Sequence, residues 1–250
     1  MYDWNKLVGW TRHRSFGLRE EWLQLFIETE NAVRYEWNLG SKQVESLAVW
    51  VKTIGLKNKD GTLTKLGNAL VCGGIKMDDV IFWEIVWVNT VFSFPTARWY
   101  VHSFVDSFTV RDLRAELSHT VPRLTVSTVR DAVYELTDLL RRTPIGERLQ
   151  QGFFSKMGGT VNVTRNGIIP SAKVALYALI KLFAEERRDE ICLDEELTWP
   201  WVIFNAPKDE ILRLIVSTQE GVVSLQNNRV RLVAKGDVFD KWLDGSMLIT

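Results

Sequence analysis

Along residues 38–70, NLGSKQVESLAVWVKTIGLKNKDGTLTKLGNAL, apolar side chains fall at Val44, Leu47, Ala48, Val51 and Ile54. That spacing turns one face of a helix inward. Gly40 and Ser41 supply a turn and an N-cap before it, and Gly55 stops it. Asp60-Gly61 then provides the positive-φ turn of a tight hairpin, with Lys57, Lys59 and Lys65 around it. A second helix start follows. This order predicts a winged helix-turn-helix, a unit that sets a helix and a basic hairpin against a DNA groove and its phosphates.

The same reading extends along the chain. Trp22, Leu23, Phe26 and Ile27 share one side of a helix beginning near Glu20. Before it, Arg12, His13, Arg14 and Arg19 bracket Phe16, a cluster suited to holding phosphate by charge-assisted hydrogen bonds. The alternative is local pairing of Arg19 with Glu21 or Glu28. Residues 78–92 are nearly all apolar but are interrupted by Glu84 and Asn89, which predicts a buried helix rather than a bilayer span. Phe94-Pro95-Thr96 marks a turn, and 96–104 an aromatic helix carrying Trp99, Tyr100 and Phe104.

A second unit begins at Thr109, an N-cap for a helix over 110–117 with Leu113 and Leu117 inward. Past a turn at Pro122, Ser127 is placed to cap a helix whose stripe is Val129, Ala132, Val133, Leu136 and Leu140, with Arg130 and Arg141 off it. Two such helices joined by a few residues again predict a helix-turn-helix. Residues 158–167 alternate apolar and polar and read as a strand or second wing. In a third unit, 174–183 is a strongly apolar helix and Pro207 sits near the start of another. Val223 and Leu225 then face Val230 and Leu232 across Asn227-Asn228, with Arg229 and Arg231 on the opposite face. The fold class expected is mainly α with short β-hairpins (α+β), built as tandem winged-helix or helix-turn-helix-like modules over 1–75, 76–167 and 168–250.

Composition narrows this picture. Thirty-one basic and thirty-one acidic residues cancel, so a nucleic-acid surface would have to be local. Two distant cysteines, Cys72 and Cys192, give no disulfide framework and fit a cytoplasmic setting. The first residues, MYDWNKLVGW, do not read as a signal peptide. Eleven tryptophans point first to core and interface packing and second to base stacking. No Walker loop, GxGxxG, HExxH, paired CxxC or GxSxG is present. His13, His102 and His119 are scattered, and the acidic runs at Asp78-Asp79 and Asp194-Glu195-Glu196 read as solvated turns before metal ligands. Spacing assigns no catalytic residue and no metal ligand. The DNA-binding candidates are Arg12, Arg14 and Arg19, then Lys42, Gln43, Lys52, Lys57 and Lys59, with Arg130 and Arg165 as a second patch.

Several stretches together resemble the SspB-like family encoded beside the sulfur-transfer genes of DNA phosphorothioation. They are SFGLREEWL at 15–23, LGSKQVESLAVWVKTIGL at 39–56, LTKLGNAL at 63–70 and PTARWYVHSF at 95–104. The later order of SAKVALYAL, WPWVIFNAP and a closing hairpin is similar too. Glu20-Glu21 departs from the glycine expected before the tryptophan. The resemblance implies a component that binds double-stranded DNA and nicks one strand to admit sulfur, with a divalent metal if it is a nickase. Its implied partners are sulfur-transfer and ATPase proteins, with no membrane. The alternatives are a non-enzymatic adaptor for those partners and a winged-helix transcription regulator.

Overall fold

The chain runs through three helices before its most buried one: α1 (Glu20–Glu30), α2 (Ser41–Thr53), α3 (Lys65–Val71) and then α4 (Val80–Ser93). A computed structural model describes residues 2–31, 39–103, 107–157, 159–218 and 221–249. The expectations placed on Asn38, Phe104 and Gly158 lie outside these residues. All ten residues from Phe82 to Val91 in α4 are buried, as an all-round apolar helix must be. Its polar positions are satisfied inside. Glu84 accepts the N–H and Oγ–H of Ser171 (3.1 and 2.7 Å), Thr90 Oγ1 donates to Val86 O, and Asn89 Nδ2 donates to Ile54 O at 2.9 Å. Among the described residues no single helix is long and apolar enough to cross a membrane.

α4 turns by 100° into α5 (Pro95–Ser103) at Phe94, where proline forces the break. The middle of the chain adds β1 (Ser107–Thr109), α6 (Val110–Thr120), α7 (Val126–Arg142), α8 (Pro144–Glu147), β2 (Phe153–Met157) and β3 (Thr160–Thr164). Thr109 caps α6 as expected: Asp112 N–H donates to its Oγ1 at 3.1 Å. The cap of α7 is Thr125 rather than Ser127, since Thr125 Oγ1 accepts the N–H of Thr128. β3 pairs antiparallel with both β1 and β2, giving one small sheet of order β1-β3-β2. Asn166-Gly167 lies past the end of β3. Gly167 lies against the backbone of Phe204 and Asn205.

The last third contributes α9 (Ala172–Glu186), β4 (Glu190–Cys192), α10 (Pro200–Phe204), α11 (Lys208–Thr218), β5 (Val223–Gln226), β6 (Arg229–Leu232), α12 (Asp237–Leu243) and α13 (Ser246–Ile249). The β5–β6 hairpin has the register read from its alternation, Val223↔Leu232 and Leu225↔Val230, with Asn227 and Asn228 both at positive φ. β4 adds to β6 as a third strand. The chain is thus α+β, with two small antiparallel sheets at the margins of a helical body. One continuous cluster of buried side chains runs from Trp10 to Leu248 and draws on all three segments. Eight tryptophans, at 10, 22, 50, 83, 87, 99, 199 and 242, are buried in it.

Candidate nucleic-acid interface

The helix over 41–53 forms as expected, but its inward stripe is Leu47, Trp50, Val51 and Ile54, while Val44 and Ala48 are exposed. Gln43 is half-buried. Its Oε1 accepts the Gly40 N–H at 3.0 Å, a cap contact at the helix start. Lys42 on the same turn is exposed. The hairpin that follows is closed by a single bridge, Lys57↔Leu63, rather than a strand ladder. Asp60 Oδ1 accepts the Thr62 N–H and O–H at 2.9 and 2.7 Å, and Gly61 adopts φ +93° to make the turn. Thr64 then caps α3 by accepting the Gly67 N–H.

Close approach of this hairpin to α4 depends on Gly55. It holds φ +80°, and a Cβ there would meet Asn89 Nδ2 at 2.7 Å. Between the hairpin, α3, α9 and the end of α12 lies a cleft of about 560 Å3, whose lining includes Lys57, Lys59, Lys65, Lys181, Tyr177 and Asp244. Lys57 is already neutralised, with Nζ 2.6 Å from Glu30 Oε1 and 5.7 Å above the Phe26 ring. Lys52 reaches over to donate to Lys59 O at 3.0 Å. Lys59, Lys65 and Lys181 make no ion pair with a carboxylate among the described residues. Burial presses Lys181 down to about 8, against the pull of Glu185 one turn along. Glu185 is itself held by Arg98 Nη1 at 2.6 Å, and the Lys181 ammonium rests 5.4 Å from the Tyr177 ring. Sequence reading missed Lys181 because only the tertiary fold brings α9 behind the hairpin.

The cluster around Phe16 has another role. His13 is fully buried, stacked on Trp50 with centroids 3.6 Å apart. Its Nδ1 lies 3.0 Å from Glu135 Oε2 and its Nε2 3.0 Å from Thr53 Oγ1. Glu135 Oε1 also accepts the N–H groups of His13 and Ser15. Burial raises Glu135 to about 8 and drives His13 well below its usual range, so at neutral pH the carboxyl holds the proton and the imidazole is uncharged. Gly17 N–H donates to Asp138 Oδ2, and a Cβ at Gly17 would lie 2.2 Å from Leu139 N. The FGLR segment is therefore a seam against α7, and its glycine is required by contact.

Arg19 pairs with Asp138 (3.6 Å), not with Glu21 or Glu28, and lies over the Trp22 ring. Arg14 is exposed and bonds Glu45 on α2 at 2.9 Å. Arg12 is exposed as well. Arg130 is exposed and bonds its neighbour Asp131. Arg165 corrects the second patch. It is 1% exposed, and its guanidinium donates to Val101 O, Val202 O, Ile203 O and Gln151 Oε1. A phosphate outside cannot reach it. Among the described residues no three His, Cys, Asp or Glu side chains converge as metal ligands.

Comparison with known proteins adds one relationship. No family model matches the chain, and no curated protein does. Two solved structures, one titled an SspB crystal structure and the other a magnesium ion-bound SspB crystal structure, share its fold with a TM-score of 0.66. Identity is 14% and 15%, and the match covers 94% of this chain and 87% of theirs. The architecture is that of SspB.

Proposed function

We propose that this chain is the DNA-binding component of a DNA phosphorothioate modification system. The observation that carries the reading is the lysine face of the α2–hairpin–α3 unit, where Lys59 and Lys65 lack carboxylate partners among the described residues and Lys42 and Lys52 lie exposed nearby. Exposed ammonium groups without carboxylate partners are what a duplex backbone requires. The shared SspB fold, together with the resemblance of 15–23, 39–56 and 95–104, supports the phosphorothioation setting. Lys57 carries less of the interaction than its position in the sequence suggests, because Glu30 already holds it. The duplex would lie along Lys42, Lys52, Lys59 and Lys65, and the recessed Lys181 is not needed for that contact.

The test is duplex binding by fluorescence anisotropy across a salt series. Wild-type affinity should fall steeply with salt, and Lys59→Glu with Lys65→Glu should weaken it for all sequences. The slope of log affinity against log salt should flatten by roughly one for each phosphate that no longer meets an ammonium. Unchanged affinity in the double variant would remove DNA from this face. Nicking of one strand is the finer reading. Supercoiled plasmid incubated with magnesium, the ion named for one SspB structure, should give open circles. Failure to do so with any divalent metal favours the adaptor reading, for which co-purification with sulfur-transfer partners is the check.

A further inference from the structure

Three lysines line the cleft behind the hairpin with no carboxylate paired to them among the described residues, and one of them, Lys181, has no part in the duplex contact. Lys59 enters from the hairpin, Lys65 from the first turn of α3 and Lys181 from the middle of α9. Lys57, the fourth lysine on the wall, is matched by Glu30. The one lining carboxylate, Asp244, accepts from the Ser246 N–H at 2.8 Å. Counting Lys59, Lys65 and Lys181 against Asp244 leaves the cleft with two uncompensated positive charges.

Of the three, Lys181 is half-buried and Lys59 and Lys65 are exposed; a partly buried ammonium is costly unless an anion meets it. Glu185 pulls on Lys181 but makes no ion pair with it, and its Oε1 is bonded to Arg98 at 2.6 Å. Glu30, the other carboxylate at this end, is taken by Lys57. The site is thus electrostatically incomplete as the chain stands. It is also concave. A continuous duplex strand presents phosphodiesters of one charge each on a convex surface, and these suit exposed lysines such as Lys42 and Lys52. A phosphomonoester carries close to two charges at neutral pH, and at a strand end it projects with nothing beyond it.

We infer that the cleft between the hairpin, α3 and α9 binds a terminal phosphomonoester, the phosphorylated end of a DNA strand such as a nick exposes. The inference rests on the DNA-binding reading for the source of that phosphate, but the cleft's charge and shape stand apart from it. Lys65 and Lys181 grip the phosphate oxygens, and Lys59 bridges from the cleft to the outer duplex face. A chain bound this way stays with a broken strand longer than with an intact one.

The experiment compares the full chain binding three duplexes of one sequence: intact, nicked with a 5′-phosphate, and nicked with a 5′-hydroxyl. A further arm uses a 3′-phosphate nick. Deoxynucleoside monophosphate and inorganic phosphate serve as competitors. A phosphorylated nick should bind roughly tenfold tighter than the hydroxyl nick, as charge-assisted contacts to a dianion predict. Lys181→Met should erase that difference while leaving affinity for the hydroxyl nick within about twofold and the thermal midpoint at or above wild type. Lys181→Arg should restore part of it. Equal affinity for phosphate and hydroxyl nicks, with intact duplex still bound, overturns the inference and leaves the DNA reading in place. Binding of monophosphate or inorganic phosphate without any duplex binding overturns the DNA reading and assigns the cleft to a free phosphomonoester. Persistence of the phosphate preference in Lys181→Met overturns the assignment to this cleft.

Discussion

Replacing Lys181 with methionine should make the protein more stable at neutral pH, an unusual result for a buried-site substitution. The amine's ordinary value of 10.5 falls to about 8 on folding because burial penalises the ammonium. A difference of roughly 2.5 corresponds to about 3 kcal/mol at 1.36 kcal/mol each. Lys181 is only partly buried, so with that discount about 1–2 kcal/mol is the expected gain when methionine keeps the stem against Tyr177 and removes the charge. The sign follows from proton counting. Below pH 8 the amine is protonated folded and unfolded, and folding bears the whole penalty. Between pH 8 and 10.5 the unfolded chain binds the extra proton, so wild-type stability from this group rises with pH. The advantage of Lys181→Met should therefore be full at pH 7 and fade toward pH 10. Urea denaturation of both proteins at several pH values, at equal ionic strength and without phosphate, measures it. A variant less stable than wild type at pH 7, or one whose difference does not change with pH, refutes the reasoning that Lys181 is an uncompensated cation.

Other consequences follow from named contacts. Because Glu135 holds a proton at neutral pH, Glu135→Gln is close to an isostere and should cost less than about 1 kcal/mol, whereas Glu135→Ala orphans His13 Nδ1 and two backbone N–H groups and should cost about 3 kcal/mol by thermal or urea denaturation. With its folded value raised from 4.5 to about 8, Glu135 lowers stability as pH rises across that window, and Glu135→Gln should flatten the profile there. Arg165→Met takes their guanidinium donor from Val101 O, Val202 O and Gln151 Oε1, while Ile203 O keeps the Trp87 Nε1–H, so a loss of about 3 kcal/mol is expected, read as a depressed midpoint for unfolding rather than as a specific DNA defect. Gly167→Ala combines φ +77° with a Cβ 2.3 Å from Phe204 O and Asn205 O, and soluble folded yield should collapse. Gly61→Ala, at φ +93° but in open space, should cost only about 1 kcal/mol.

Local pattern was enough wherever one element decides its own face or end. The β5–β6 register was legible because period-two alternation and Asn227-Asn228 leave one pairing that buries Val230 and Leu232. The cap at Thr109 and the buried character of α4 were legible for the same reason: each depends on neighbours within a turn or two. Local pattern was not enough for strands that bury little. β1 and β4 are three residues long and exist because β3 and β6 offer them an edge. The motif FGLR read as a phosphate cluster because charge is visible in sequence and a partner 120 residues away is not. Only when α7 arrives do Glu135 and Asp138 claim that segment.

The basic side chains divide the same way. Sequence alone identified the lysines around Asp60-Gly61, since a short hairpin between two helices must carry its polar residues outward. It had no means of ranking them. Tertiary structure decided that Lys57 is spent on Glu30, that Arg165 is a bolt through the core, and that Lys181, from a helix more than a hundred residues later, completes the charged cleft. Whether a charge is free or spent is settled by what lies across from it, and that is set by packing between elements rather than by order along the chain.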